Sequence, residues 1–159
     1  MAQGSSSGLR ITITTLLGLI LAIVPLPEVI RPARPHLLLL LVIYWSLSAP
    51  RVAGLMFAWL CGFALDVIKG PLFGQHAIAF LLVAYLVHKA QLRMRVLPIA
   101  HQTFWVFGFL AAYEFVVFWI DGIIGPAITT WMRWLPVIVS TALWPLIVAV
   151  LDTWNRSRR

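Results

Sequence analysis

Asp66 and His76 put an acid and a base on either side of a Gly70-Pro71 turn, with Lys69 and Gln75 between them. Such a group can hold an ion pair, relay a proton or offer metal ligands. Lys69 follows Asp66 at the helical i+3 spacing, where a local ion pair forms easily. A closed zinc shell needs four ligands, and one histidine with one aspartate falls short. Glu114 is the other acid in an apolar setting, seven residues before Asp121, or about 10 Å along a helix. An ionised side chain at mid-bilayer depth costs roughly 2.5–3.5 kcal/mol. Glu114 therefore reads first as a protonated acid donating one hydrogen bond to a neighbouring helix, and second as a contact for a partner's basic or polar group. The plainer reading of Asp66, Lys69, Gln75 and His76 is one hydrogen-bonded polar network around the turn.

Enzymatic chemistry needs a nucleophile, a base and an orienting group within reach. Ser46, Ser48 and Ser140 have no basic residue at helical spacing on their own segments, and HExxH, paired-acid and phosphate-loop patterns are missing from the sequence. Cys61 is the single cysteine, so an intrachain disulfide or a cysteine-based metal site is excluded. No catalytic residue, metal or cofactor is expected.

The elements that must position these groups are set by composition. Of 159 residues, 62% are hydrophobic and only 11% charged, with a mean hydropathy of +0.96. Soluble domains carry about 25% charged residues, so the chain reads as an all-α integral membrane protein. Charge-free runs cover Ile11–Pro27, Pro35–Pro50, Val52–Leu65, Gly70–His88, Val96–Tyr113 and Trp134–Leu151. They predict one compact six-helix transmembrane domain over residues 11–154, between a cytoplasmic tail of residues 1–10 and a basic cytoplasmic tail of residues 155–159. Arg10 with Ile11–Val24 has the charge and length of a signal peptide, but no small-x-small site follows, so this run reads as a permanent span. Prolines mark nearly every boundary, and the runs lack the alternation a β-barrel needs.

With the N-terminus inside, Arg10, Arg51, Lys89, Arg93, Arg95, Arg156, Arg158 and Arg159 are cytoplasmic, against Arg31, Arg34, Lys69 and Arg133 outside. That excess predicts both termini on the cytoplasmic side of the membrane. The alternative is five spans with Pro35–Pro50 re-entrant. Lys89, Arg93 and Arg95, with Arg156, Arg158 and Arg159, form two cytoplasmic basic groups suited to anionic lipids or an acidic protein. Trp45, Trp105, Trp119, Trp131, Trp134 and Trp154 fall near span ends, where an indole N–H stays wet; Trp59 and Trp144 lie mid-span. Small residues recur every fourth position at Thr14, Gly18 and Ala22, at Gly54, Ala58 and Gly62, and at Gly108 and Ala112. These stripes let helices approach closely, within the bundle or with a partner.

The segments RPARPHLLLLLVIYWSLSAPRVAG, GFALDVIKGPLFGQHAIAFLLVAYLV and WLPVIVSTALWPLIVAVLDTWNRSRR closely resemble the rod shape-determining MreD family. The resemblance spans about residues 24–159. Its most specific piece is Gly62-x-x-x-Asp66 followed by Gly70-Pro71-Leu72-x-Gly74. It implies a non-catalytic scaffold subunit of the cell-elongation complex that supports peptidoglycan synthesis and rod shape. The implied partners are MreC directly, with RodA, a class B penicillin-binding transpeptidase and MreB in the same complex, and no nucleic acid. The motif residues carry over only as a structural or interface element. MreD-like folds are also similar to the substrate-binding subunits of energy-coupling-factor transporters. That likeness implies an alternative, a small-molecule-binding or transport subunit, which would need a polar-lined cavity near Asp66, His76 and Glu114.

Overall fold

Residues Leu37–Ser48 read LLLLLVIYWSLS, apolar all round, and a helix without a polar face has to be enclosed. In the computed structural model it is. Residues 3–25, 27, 33–69, 72–125 and 131–156 are described. They form α1 (Gln3–Ile23), α2 (Leu37–Ser48), α3 (Leu55–Lys69), α4 (Gln75–Met94), α5 (Ile99–Ile124) and α6 (Leu135–Arg156), with a 3-10 turn at Trp131–Trp134 before α6. Helix α2 packs against α1, α3, α4 and α6, and nearly every one of its residues is buried. Its 12 residues reach only about 18 Å. Protein groups close both of its ends. The His36 backbone N–H donates to Ser140 Oγ at 2.7 Å, and Arg95 donates to the Leu47 carbonyl at the other end.

The hydrogen bonds fix the direction of each helix. Arg10 of α1 donates to Asn155 of α6 at 2.6 Å, and the Tyr44 hydroxyl of α2 donates to Asp152 of α6 at 2.7 Å. Gln102 at the start of α5 donates to the Met94 carbonyl at the end of α4. These contacts gather the starts of α1 and α5 with the ends of α2, α4 and α6. Contacts of Arg34, His36, Asp66, Gln75, Asp121 and Arg133 gather the opposite termini at the far end. The helices thus alternate in direction.

Among the described residues, three stretches are long and apolar enough to cross a membrane: Gln75–Met94, Ile99–Ile123 and Trp131–Asn155. Gly8–Ile23 and Leu37–Ser48 are shorter apolar helices. Large apolar side chains remain exposed along the outer helices, among them Leu17, Ile20, Leu60, Phe104, Trp119 and Leu146. Monomeric soluble proteins rarely expose apolar patches on this scale. The exterior is that of a multi-pass membrane protein.

Helix α1 already begins at Gln3, within the ten residues expected to form a cytoplasmic tail. No proline interrupts the serine-rich start, and Thr12 Oγ1 donates back to the Gly8 carbonyl at 3.0 Å. Trp45 is a core residue, 3% exposed, and its indole N–H donates to Thr14 Oγ1 at 2.9 Å instead of meeting water. Helix α6 runs through Pro145.

The small-residue stripes separate into two kinds. Thr14 and Gly18 are buried and Ala22 is half-buried; a Cβ on Gly18 would stand 2.8 Å from Leu41 Cδ1 of α2. Ala58 and Gly62 are buried, with Gly54 half-buried at the start of the stripe. A Cβ on Gly62 would lie 2.6 Å from both Ala77 Cα and the His76 carbonyl oxygen of α4. Backbone cannot swing aside as a side-chain tip can, so Gly62→Ala is expected to cost about 1–3 kcal/mol. Thermal unfolding of the detergent-solubilised protein, read by the loss of its monodisperse elution peak, measures this. Gly108 differs: a Cβ there meets nothing within 4 Å.

Candidate functional site

The first turn of any helix leaves backbone N–H groups without intrahelical partners. At α4 the chain enters through Gly74 in the left-handed region, φ +99°, which has no side chain to act as a cap. Asp66, 1% exposed on α3, supplies the acceptor instead. One carboxylate oxygen takes the N–H of Gly74 at 3.0 Å and of Ala77 at 3.1 Å. The other takes the N–H of His76 at 2.9 Å and faces His76 Nδ1 at 2.8 Å. The negative charge also sits at the positive end of the α4 dipole. A carboxylate has about four acceptor positions, and these four contacts fill them.

That saturation explains a departure from the sequence reading. Lys69 makes no ion pair with Asp66; its side chain is exposed at the end of α3 and borders a cavity with Arg34 and His36. Gln75 also leaves the expected network. Its side-chain amide donates to Asp121 Oδ1 at 2.6 Å and reaches the Val117 carbonyl at 3.4 Å, both on α5.

Asp121 joins a second network. Arg133, in the 3-10 turn before α6, donates from Nε to Glu114 Oε1 at 2.7 Å and from its second terminal nitrogen to Asp121 Oδ2. Glu114 and Asp121 stand two helical turns apart on one face of α5, and the guanidinium spans the gap over the ring of Phe118. His36, at the start of α2, places Nε2 3.5 Å from Glu114 Oε2. Glu114 is thus not a lone protonated acid; Arg133 supplies its counter-charge. One network ties α4, α5 and the entry to α6, and Glu114 carries it to the head of α2. Arg133, Asp121 and His36 were not singled out from the sequence. The heptad spacing of Glu114 and Asp121, and Arg133 on the connection that follows, were the available signals.

The basic residues at the other end differ from one another. Lys89 is exposed with its ammonium 5.2 Å from the Tyr85 ring centroid, and Arg93 is exposed. Arg95, though exposed, donates to the Leu47 carbonyl and closes the end of α2. The side chain of Arg156, and Arg158 and Arg159 entirely, lie outside the described residues.

Chemically, these groups are committed to holding helices. Ser46 Oγ donates to the Ala53 carbonyl, and Ser140 Oγ accepts from His36. Among the described residues no three His, Cys, Asp or Glu side chains converge to hold a metal ion. Ala112 and Gly108 leave a shallow strip on α5, flanked by the exposed rings of Phe104, Phe115 and Trp119.

Comparison with known proteins gives a consistent picture. Residues 6–153 match the family model described as rod shape-determining protein MreD. A curated relative, the rod shape-determining protein MreD of Haemophilus influenzae, is 26% identical over 137 residues, covering 86% of this chain and 85% of its own length. No solved structure matches the chain.

Proposed function

The chain belongs to the MreD family of rod shape-determining proteins, and from that membership we propose that it is a non-catalytic scaffold of the cell-elongation complex. Its role is in rod shape determination. It does this by offering lateral helix surfaces to MreC, which brings RodA, the class B transpeptidase and MreB into one assembly for peptidoglycan synthesis. The proposed setting is the bacterial inner membrane, with six spans and both termini inside. The alternating helix directions support that topology. The enclosure of α2 supports counting it as a span despite its length, because protein and not lipid surrounds it. Lys89 and Arg93 then face the cytoplasm, where each basic residue contributes about 1 kcal/mol of attraction to anionic lipid.

One observation carries the scaffold reading. Thr14, Gly18 and Gly62 are consumed by packing within the chain, whereas Gly108 is exposed with open space beside it, one turn from the half-buried Ala112. In lipid, helix association depends on close van der Waals approach, and small residues permit it. The strip on α5 fits a single transmembrane helix such as that of MreC. Gly108→Leu is expected to leave folding intact, since the added side chain enters open space, and to abolish co-purification with MreC from mild detergent. Cells carrying it should round up. Undiminished MreC recovery with Gly108→Leu would remove α5 as the contact. Recovery of this chain alone, wild type and under the same conditions, would overturn the scaffold reading.

A further inference from the structure

A cavity of about 390 Å³ opens at the end of the bundle where α1 and α3 finish and α2 begins. Its size falls in the range of small-molecule sites. The walls are mostly apolar, including Leu21, Leu38, Leu65 and Phe80. The polar groups bordering it are of one charge type. Arg34 and Lys69 are cationic, His36 and Tyr113 complete the set, and no carboxylate lines it among the described residues.

Arg34, Lys69 and Tyr113 have donor capacity left over among the described residues. Arg34 is held in place by α1: one terminal nitrogen donates to the Leu21 carbonyl at 2.7 Å and the Val24 carbonyl at 3.0 Å. Its remaining N–H groups make no hydrogen bond among the described residues. Lys69 makes no ion pair among them. His36 Nε2 is buried and faces the Glu114 carboxylate at 3.5 Å, so it belongs to that contact and is not free for a ligand. Tyr113 is 2% exposed and borders the cavity, and its hydroxyl makes no hydrogen bond among the described residues. A buried polar group left unpaired costs roughly 1–3 kcal/mol. A ligand that accepts hydrogen bonds at its head and is apolar elsewhere would match these donors and walls.

We propose that this cavity binds an anionic phospholipid, its phosphate between Arg34 and Lys69 with Tyr113 as a neutral donor, and the first part of an acyl chain along Leu38, Leu65 and Phe80. Charge complementarity selects an anionic head over a zwitterionic one, and the apolar walls select a lipid over a free anion. This site is at the opposite end of the bundle from Lys89 and Arg93.

Thermal stability and native mass spectrometry of the purified full chain test it, with phosphatidylglycerol, phosphatidylcholine of matched chains, and inorganic phosphate as probes. The expected result is that phosphatidylglycerol raises the melting temperature by several degrees more than phosphatidylcholine, with inorganic phosphate inactive. Lys69→Gln, which breaks no ion pair among the described residues, should weaken that preference; Arg34→Gln/Lys69→Gln should weaken phosphatidylglycerol binding about thirtyfold, at roughly 1 kcal/mol per cation. Lys89→Gln/Arg93→Gln should keep the preference intact. Equal stabilisation by both lipids, or a preference that survives Lys69→Gln unchanged, would overturn the proposal. So would loss of the preference in Lys89→Gln/Arg93→Gln, or a full shift from inorganic phosphate alone.

Discussion

Asp66→Ala is expected to be the most damaging single polar substitution in this chain. It strands the backbone N–H groups of Gly74, His76 and Ala77 at the start of α4; those of His76 and Ala77 are buried, where water cannot replace the carboxylate, and that of Gly74 is partly so. Each unsatisfied buried donor costs about 1–3 kcal/mol, so the total loss is several kcal/mol and comparable to the whole stability of a small domain. Asp66→Asn keeps one acceptor oxygen and turns a donor towards donors, so it falls between the wild type and alanine. His76→Ala removes the Nδ1 contact and the ring's packing near Tyr113 but leaves all three backbone bonds, so it is mildest. The order Asp66→Ala, Asp66→Asn, His76→Ala, from worst to least, is read by membrane expression level and by the melting temperature in detergent. An equal effect of Asp66→Ala and His76→Ala would mean that the side-chain pair, not the cap on α4, is what Asp66 holds.

The same residues show how far the sequence could be read. Gly62-x-x-x-Asp66 and Gly74 stood out as a motif, and i,i+4 spacing already put Gly62 and Asp66 on one face of α3. What they face was not legible, because the acceptors' targets are backbone N–H groups, which every residue carries and no composition reveals. Local spacing favoured Lys69 as the partner of Asp66. The packing of α4 on α3 instead brings the start of α4 end-on to the carboxylate, and three N–H groups at a helix start outcompete one exposed lysine. Glu114 was recognised as costly in lipid, yet its cation lies across a helix connection on Arg133, beyond any helical spacing rule. Helix α2 was legible as apolar throughout, a pattern shared by a lipid-facing span and an enclosed core helix. Trp45 went astray for the same reason: closeness to a span end suggested an interface, while enclosure of α2 gave its N–H to Thr14.

Arg133→Ala is the second large effect, and it tests whether the Glu114–Arg133–Asp121 network acts as a unit. Removing the guanidinium leaves two carboxylates on one face of α5 without a cation, and Glu114 is the costlier because its side chain is only 8% exposed. Breaking a buried pair by deleting one partner typically costs about 3–5 kcal/mol. The Asp121 half contributes less, since that side chain is 36% exposed and screened. Glu114→Gln in the Arg133→Ala background should therefore restore most of the lost stability, because a neutral amide no longer needs the counter-charge. Arg133→Lys should restore little, as one ammonium cannot reproduce the forked contact with both acids. Melting temperatures of the four proteins in the double-mutant cycle give the coupling directly. A strongly non-additive cycle means that the ion pair, and not the bulk of the arginine side chain, joins α5 to the entry of α6; simple additivity would assign the loss to packing of Arg133 on Phe118.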